Sequence, residues 1–296
     1  MILPPLPEVD WMSDYAGPTF VVSHGDTVRL FVTGRDRHNQ SRVGIVDGTL
    51  DDGRFQILEV HQDPLLGLGP IGMFDESGSS YPWLVTAGDE VFMYYVGWTA
   101  GTKTRFRNFL GLAISRDGGE SFTRHSNVPI LDRTDSEPYG TGSCAVWIED
   151  DGWHMIYTAF EPWWEGSVRQ NPSYRLREAL SDNGKDWTQT QRIVLDFEQA
   201  DEYVIGKPMI LHDPDRTRLW YCYRGASYRI GYAEASNGGG FERQDAAVGL
   251  DVSDEGWDSE MVEYAFVFDH LGQRYMVYNG NQFGQTGLGL AMQVGL

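Results

Sequence analysis

One strand pattern recurs five times along the 296-residue chain, each time ending at a glycine or an alanine. The copies read RLFVTG, FMYYVG, HMIYTA, LWYCYRG and YMVYNG, and they end at Gly34, Gly97, Ala159, Gly225 and Gly280. Another apolar segment precedes each copy and a further one follows it, so every unit is a meander of at least three strands. Units two to four add a turn and a fourth segment. A unit of about 60 residues built in this way buries its faces against neighbouring copies.

Four-stranded sheets repeated radially form a β-propeller. The sequence therefore predicts an all-β protein, a single five-bladed β-propeller domain with four-stranded antiparallel blades over residues 1–296. The expected blades span approximately residues 12–60, 70–126, 136–192, 201–245 and 257–296. The last unit lacks a fourth segment, and we expect the early proline-rich segment to lie against it. The stretch SRDGGESF is interpreted as a turn in which an aspartate caps backbone amides.

Charge and composition exclude several classes of partner. The chain has 23 Lys and Arg residues against 43 Asp and Glu residues, and its net charge of −20 disfavours nucleic acid and anionic membrane surfaces. There is no apolar run of membrane-spanning length, and the start MILPPLPEVDW lacks the features of an export signal, which predicts a cytoplasmic protein. The two cysteines, Cys144 and Cys222, are expected to be buried free thiols rather than a disulfide.

An acidic residue precedes the first strand of every unit. These residues are Asp14, Asp75, Glu137, Glu202 and Glu260. Because the first strand of a propeller blade is the innermost, we expect the five carboxylates to meet at one mouth of the central channel. Like charges that lie close together need cations or hydrogen bonds to offset them, and Arg35, Lys207 and Arg224 are candidates. Such a mixed cluster favours a sugar site, whereas the alternative is a set of solvated loop residues.

Aromatic residues near the blade entrances give a second indication. Trp83, Trp98 and Tyr139 lie there, and sugar rings pack their apolar faces on such side chains. The polar stretch FEPWWEG at 160–166 combines two tryptophans with two glutamates, which also suggests a ligand contact. Most tryptophans in an all-β core, however, only pack.

The units, with strands of the type MYY followed by segments such as GLAISRDGGESF, resemble the five-bladed arabinanase, levansucrase and invertase superfamily of glycosidases. The resemblance covers nearly the whole chain. It implies an Asp base, a second Asp and a Glu general acid on inner strands of different blades, often within Asp-Pro and Glu-Gly-Pro. Here those places hold Gly17-Pro18, Tyr81-Pro82, Lys207-Pro208 and Gly142-Ser143. The nearest substitutes are Asp14, Asp75 and Glu137, with Glu260 and Glu263 as extra acids.

The leading hypothesis is a glycoside hydrolase-like enzyme that acts on a small glycan or sugar conjugate at the central funnel. Glu137 is the expected acid, Asp75 or Asp14 the base or nucleophile, and Glu260 and Glu263 would tune the acid or bind hydroxyls. The predicted substrate-binding residues are Arg35, Trp83, Trp98, Tyr139, Lys207, Arg224, Glu263 and Asn281. Glu263 is expected to contact Lys207 of the neighbouring blade. The histidines and cysteines form no metal-binding pattern, and no cofactor is expected.

Two alternatives stay open at this point. The first is a non-hydrolytic carbohydrate-binding or tailoring propeller in a glycan or natural-product pathway, favoured by the missing Asp-Pro and Glu-Gly-Pro motifs. The second is a sialidase-like enzyme, which requires an arginine triad and a Tyr and Glu pair and has six blades in most cases. Arg35 and Arg224 could supply part of such an anion grip. The sugar, its linkage, the stereochemical outcome and the oligomeric state are open.

Overall fold

A computed structural model describes residues 1–163, 172–236 and 239–294. Within these ranges the protein is all-β, with 19 strands and three short 3₁₀ helices, at Asp10–Met12, Asp245–Ala247 and Asn281–Gly284. None of these helices has the length or the apolar character needed to cross a lipid bilayer.

The first two units each form a separate four-stranded antiparallel sheet in chain order. The strands of the first sheet are β1 (Tyr15–His24), β2 (Thr27–Arg35), β3 (Ser41–Asp51) and β4 (Arg54–Val60). Those of the second are β5 (Ser79–Ala87), β6 (Glu90–Ala100), β7 (Phe106–Ser115) and β8 (Thr123–Arg124). The expected meander of four antiparallel strands is confirmed for both units.

The third and fourth units are joined into one eight-stranded sheet, which the sequence did not predict. The strands of the third unit are β9 (Thr141–Glu149), β10 (Gly152–Trp163), β11 (Pro172–Ser181) and β12 (Thr188–Leu195). Those of the fourth are β13 (Val204–His212), β14 (Arg216–Arg224), β15 (Tyr228–Ser236) and β16 (Glu242–Arg243). Inside each unit the pairing is antiparallel, and the two units meet through the parallel pair of Tyr174 with Val204. The union arises because β11 and β13 approach each other at that point.

The fifth unit has three strands of its own, as expected from its missing fourth segment: β17 (Glu263–His270), β18 (Gln273–Asn279) and β19 (Leu288–Met292). The N-terminal segment pairs antiparallel with the outer strand, through a bridge between Leu3 and Leu288. The Ile2 N–H donates to the Leu288 carbonyl at 2.7 Å, and the Leu288 N–H donates to the Leu3 carbonyl at 2.8 Å. The expectation that the proline-rich start lies against the last unit is confirmed.

The first strands of the five units form a closed ring. β1 contacts β5, β5 contacts β9, β9 contacts β13, β13 contacts β17, and β17 contacts β1. One continuous apolar core runs through all five units, with Val32, Tyr94, Ile156, Leu219 and Val277 among its buried residues. The second strands are nearly continuously apolar because both of their faces pack against neighbouring layers, as in β6.

The stretch SRDGGESF forms the turn that the sequence indicates. Asp117 Oδ1 accepts a hydrogen bond from the Ser121 N–H at 3.0 Å, and Ser115 Oγ accepts one from the Gly119 N–H at 2.8 Å. These contacts satisfy backbone N–H groups of the turn between β7 and β8, so the stretch has the structural role that the sequence indicates.

Candidate functional site

A cavity of about 520 Å³ lies where the ring of first strands begins. Each of the five first strands carries a β-bulge at this end, where two residues stand opposite one residue of the second strand. The first residues of the five bulges are Gly17, Tyr81, Gly142, Lys207 and Tyr264, and all five line the cavity. The site is thus built from equivalent positions of the five units.

Three of the bulge residues have a left-handed backbone, which is uncommon for residues other than glycine. The φ angles are 53° at Tyr81, 52° at Lys207 and 59° at Tyr264. Strained residues of this kind persist only where their surroundings hold them, and they cluster at functional sites.

A side chain of the preceding unit fixes each of these three residues. The Tyr81 N–H donates to Thr33 Oγ1 at 2.9 Å, and the Lys207 N–H donates to Thr158 Oγ1 at 3.1 Å. The Tyr264 N–H donates to the Cys222 sulfur at 3.0 Å. The same type of hydrogen bond therefore connects neighbouring units at three positions of the ring.

Four cations line the cavity: Arg35, Arg105, Lys207 and Arg224. Lys207 is only 6% exposed, and burial lowers the pKa of its ammonium to about 8. Its Nζ donates to the Ala265 carbonyl at 3.4 Å. In the part of the chain that the structure describes, none of the four has a carboxylate oxygen within 4.0 Å.

The rest of the lining is mainly aromatic and uncharged polar. The aromatic residues are Tyr15, Tyr81, Trp98, Phe106, Phe160, Tyr174, Tyr228, Tyr264 and Phe283. The polar side chains include Asn39, Asn108, Ser143 and Gln282. Among the described residues of the lining there is no aspartate or glutamate. The cavity can therefore pack flat apolar faces and donate many hydrogen bonds, but its described lining offers no carboxylate.

Glu263 lies directly before the cavity residue Tyr264 and is itself fully buried, outside the lining. Burial raises the pKa of its carboxyl well above the usual value, and the side chain of Tyr264 and the charge of Arg224 oppose this rise only in part. Neither carboxylate oxygen has a hydrogen-bond partner among the described residues. The predicted ion pair with Lys207 is wrong, because Lys207 contacts the Ala265 carbonyl instead and Arg224 is the cation that influences Glu263.

The acids that were expected at the channel mouth do not line the cavity. Asp75 is buried and accepts hydrogen bonds from Arg124 Nε at 2.7 Å and from the Tyr95 hydroxyl at 3.1 Å. Glu137 is buried likewise and accepts from the Tyr157 hydroxyl at 2.7 Å and from Gln189 Nε2 at 3.1 Å. Each acid thus fastens the entry loop to the second strand and to the outer strand of its own unit.

The remaining acids of the series also lie outside the cavity lining. Asp14 is exposed and its N–H donates to the Arg35 carbonyl at 2.9 Å. Glu202 is buried in a pair with Arg243, at 2.8 and 3.0 Å. Glu260 contributes backbone contacts, since its N–H donates to Asn281 Oδ1 at 2.8 Å. In the fifth unit Asp258 occupies the structural role, because it accepts from the Tyr278 hydroxyl at 3.0 Å.

Of the predicted binding residues, Arg35, Trp98, Lys207 and Arg224 line the cavity, whereas Trp83, Tyr139, Glu263 and Asn281 do not. Trp83 is buried in the core and its Nε1 donates to the Val146 carbonyl at 2.8 Å. Tyr139 is 40% exposed at the surface. Asn281 Oδ1 fixes the loop backbone at Glu260 and Met261. In FEPWWEG, Phe160 lines the cavity, but residues 164–166 lie outside the described residues.

Sequence reasoning missed the tyrosines of the cavity as ligand contacts. Tyr81 and Lys207 both precede a proline, as does Gly17. Because proline donates no hydrogen bond to a sheet ladder, a proline inside a strand marks an edge or a bulge. The recurring X-Pro pair was therefore the signal for the bulges that form the cavity.

Comparisons with known proteins place the chain in a family. No family model matches it. The uncharacterized protein Rv1502 from Mycobacterium tuberculosis strain ATCC 25618 / H37Rv is 35% identical over 294 residues, which cover 98% of this chain and 96% of the relative. The uncharacterized protein MT1551 from M. tuberculosis strain CDC 1551 / Oshkosh matches with the same values.

Solved structures with low sequence identity share the fold. A glycoside hydrolase superposes with a TM-score of 0.76 at 17% identity, over 100% of this chain and 91% of that one. A thermostable family-43 glycoside hydrolase gives 0.68 at 14% identity, over 95% and 90%. A GH32 β-fructofuranosidase from Bombyx mori gives 0.65 at 16% identity, over 98% and 61%. The chain therefore belongs to the family of the mycobacterial protein Rv1502, and its fold is that of the β-propeller glycoside hydrolases.

Proposed function

We propose that this protein is a carbohydrate-active propeller of five blades whose central cavity binds a small sugar or sugar conjugate. The closed ring of five first strands supports the blade count, with the third and fourth blades joined at Tyr174 and Val204. One observation carries the proposal. The bulges of all five first strands meet at a cavity that combines aromatic faces with hydrogen-bond donors, in a fold shared with glycoside hydrolases.

The lining has the chemistry that a sugar requires. The apolar face of a sugar ring packs on an aromatic side chain such as Trp98 or Phe160, and its hydroxyls need partners such as Asn108 or Ser143. Trp98 is held in place because its Nε1 donates to Ser41 Oγ at 2.6 Å. A volume of about 520 Å³ lies within the range of small-molecule sites.

Hydrolysis by the usual pair of carboxylates finds little support in the cavity. That reaction needs one acid and one base or nucleophile on either side of the glycosidic bond. The five bulge positions hold two glycines, two tyrosines and a lysine, and the described lining has no carboxylate. Sugar binding without hydrolysis, or a different reaction at the sugar, therefore fits this geometry better than the expected Asp and Glu mechanism.

A second candidate is hydrolysis with Tyr264 as the nucleophile, and one observation favours it. Tyr264 lines the cavity with a strained backbone, and its side chain lowers the pKa of the neighbouring buried Glu263 carboxyl, against the effect of burial. Some glycosidases use a tyrosine in place of a carboxylate nucleophile. In such a step the Tyr264 oxygen bonds to the anomeric carbon as the bond to the leaving oxygen breaks, and the tyrosine proton passes to the leaving oxygen. Water then releases the sugar from Tyr264 and restores the tyrosine hydroxyl.

Titration calorimetry with free sugars, run beside a turnover assay on nitrophenyl glycosides, tests both candidates. Trp98→Ala is the cavity variant. Trp147→Ala is the matched control, because Trp147 also donates its indole N–H, to Glu149 at 2.6 Å, but lies outside the lining. We expect Trp98→Ala to weaken sugar binding at least tenfold and Trp147→Ala to leave it unchanged. Equal losses in both variants would contradict the assignment of the cavity.

Turnover separates the two candidates. Binding without turnover supports the first of them. Turnover that disappears in Tyr264→Phe, while sugar affinity is kept, supports the second. Turnover that survives in Tyr264→Phe overturns the nucleophile assignment.

A further inference from the structure

The cations of the cavity are exceptional within this chain. The other half-buried arginines among the described residues are paired with acids, as Arg243 is with Glu202 at 2.8 Å and Arg274 with Asp213 at 2.9 Å. The protein carries a net charge of −20, so carboxylates are abundant. Nevertheless the cations Arg35, Lys207 and Arg224 face the cavity with no carboxylate within 4.0 Å among the described residues.

Lys207 is the most deeply buried of these three cations, so its charge costs the most free energy to bury. Lys207 is only 6% exposed, and its Nζ lies 6.0 Å from the centre of the Phe266 ring. The carbonyl of Ala265, at 3.4 Å, is a weak and uncharged acceptor for an ammonium group with three N–H donors. A buried ammonium is unfavourable unless an anion or several acceptors complete its surroundings.

Arg224 is incompletely satisfied as well. Its guanidinium lies over the Tyr228 ring at 4.8 Å and over the Tyr203 ring at 5.7 Å. Its Nε is buried without a hydrogen-bond partner in the described part of the chain. Stacking on tyrosine holds the plane of the guanidinium while its N–H groups stay available, which is the arrangement in which arginine recognises carboxylates and phosphates.

Arg35 contributes from the first unit. Its Nη1 donates to Asn39 Oδ1 at 3.1 Å, and its guanidinium lies over the rings of Tyr15 at 4.9 Å and Trp98 at 5.5 Å. Trp98 is the residue to which the proposed function assigns a sugar contact. A cation beside this aromatic face brings positive charge next to the expected position of the sugar ring.

Glu263 does not pair directly with these cations. Its carboxyl is fully buried and feels the charge of Arg224, but it lies in no ion pair within 4.0 Å among the described residues. An anion that enters the cavity would supply the partner that these cations lack, whereas a neutral sugar would leave them unpaired.

We propose that the ligand of the central cavity is a sugar that carries an anionic group, a carboxylate or a phosphate, bound by Lys207 and Arg224 with Arg35. This inference rests on the proposed function and adds the charge class of the ligand. Carboxylate and phosphate share the chemistry of recognition by a fixed guanidinium and an ammonium group. Matched compounds that carry one group or the other distinguish them.

The test is titration calorimetry at pH 7 with matched sets of compounds that differ only in the charged group. Each set contains a neutral sugar, its uronate and its 1-phosphate. The three neutral sugars are glucose, galactose and mannose. Acetate and inorganic phosphate are included as anions without a sugar. In at least one set we expect an anionic member to bind at least tenfold more tightly than the neutral sugar, with an affinity that falls as salt is added.

Variants assign the preference to the cavity. We expect Arg224→Gln to reduce the preference for the anionic member at least tenfold. Lys207→Met is the second variant and should act in the same direction, so that the test survives if one variant fails to fold. The control is Arg54→Gln, an exposed cation on the outer strand β4, which should bind like the wild type.

The outcomes separate this inference from the proposed function. Equal affinity for neutral and anionic members overturns the charge class and leaves the sugar site intact. Acetate or phosphate binding as tightly as the anionic sugars overturns the sugar site and supports an anion site. No binding by any compound overturns both.

Discussion

The Thr158 hydroxyl accepts a hydrogen bond from the backbone N–H of Lys207 at 3.1 Å, and so one repeat unit holds the strained cavity residue of the next. Thr33 does the same for Tyr81, and the Cys222 sulfur does so for Tyr264. The cavity geometry is thus set by contacts between units, since the strained residue and its acceptor never belong to the same unit. This relationship makes the stability of the ring and the shape of the site depend on the same few hydrogen bonds.

Replacing Thr158 by valine tests this coupling. Thr158→Val keeps the shape of the side chain but leaves the buried Lys207 N–H without its acceptor, and we expect the free energy of unfolding to fall by about 1–3 kcal/mol. Chemical denaturation measures the change. Thr188→Val, at an exposed position, is the control and should shift stability by no more than about 0.5 kcal/mol. A Thr158→Val protein as stable as the wild type would show that the hydrogen bond does not hold the bulge.

The role of the buried acids is tested at Asp75. Asp75→Asn removes the charge that pairs with Arg124 Nε at 2.7 Å, and we expect a loss of stability of about 1–3 kcal/mol. The sugar affinity should stay within about twofold, because Asp75 lies outside the cavity lining. Thermal denaturation and calorimetry on the same sample provide the comparison. Unchanged melting together with abolished binding or turnover would restore Asp75 as a site residue.

The buried Lys207 predicts a dependence of stability on alkaline pH. Burial lowers the pKa of this group from 10.5 to about 8, so the unfolded chain holds the proton more tightly than the folded one. The destabilisation is therefore complete below pH 8 and is relieved between pH 8 and 10.5, by about 3 kcal/mol in total. The nearby thiols Cys144 and Cys222 keep their protons over most of this range, because burial raises their pKa values.

Denaturation curves of wild type and Lys207→Met from pH 7 to 10 measure the contribution of Lys207 to the pH dependence of stability. The effects of the other titrating groups cancel in the difference between the two proteins. The wild type should gain stability relative to the variant as pH rises through 8. Anion binding should weaken over the same interval, because the ammonium group loses its charge. A constant difference between the two proteins would rule out a buried charged lysine.

The buried Glu263 leads to the opposite prediction at lower pH, where stability should fall as pH rises. Burial raises the pKa of this carboxyl above 4.5, so the folded chain keeps a proton that the unfolded chain loses. The contribution of Glu263 to stability is present below pH 4.5 and is lost as pH rises towards its folded pKa. The Glu263→Gln protein has no carboxyl at this position and therefore does not lose this stability. We expect its stability to improve relative to the wild type as pH increases from 4.5. Parallel stability curves for the two proteins would indicate that the carboxyl is not desolvated.

Much of the fold follows from the sequence, because the five strand copies and their alternating neighbours leave few ways to bury apolar faces. The pairing of the N-terminal segment with the last unit follows as well, since that unit lacks a fourth strand. The union of the third and fourth units does not follow, because it depends on one parallel contact between Tyr174 and Val204. No local sequence pattern encodes a contact of this kind.

The site was predicted only in part, for a physical reason. Arg35, Trp98, Lys207 and Arg224 were identified because they are charged or aromatic residues near strand ends. Asp75 and Glu137 stand at equally regular positions, but the hydroxyls of Tyr95 and Tyr157, each twenty residues further on, hold them inside their own units. An acid before a strand can be directed to the channel or to its own sheet, and only the tertiary contact decides.

A crystal structure of the protein soaked with the compound of highest calorimetric affinity would locate the bound sugar. We expect density for the sugar in the cavity, with its ring against Trp98 and its anionic group within hydrogen-bond distance of Lys207 or Arg224. Density for the sugar elsewhere, for example beside Asp75 or Glu137, with the cavity left free of ligand, would contradict the assignment of the cavity.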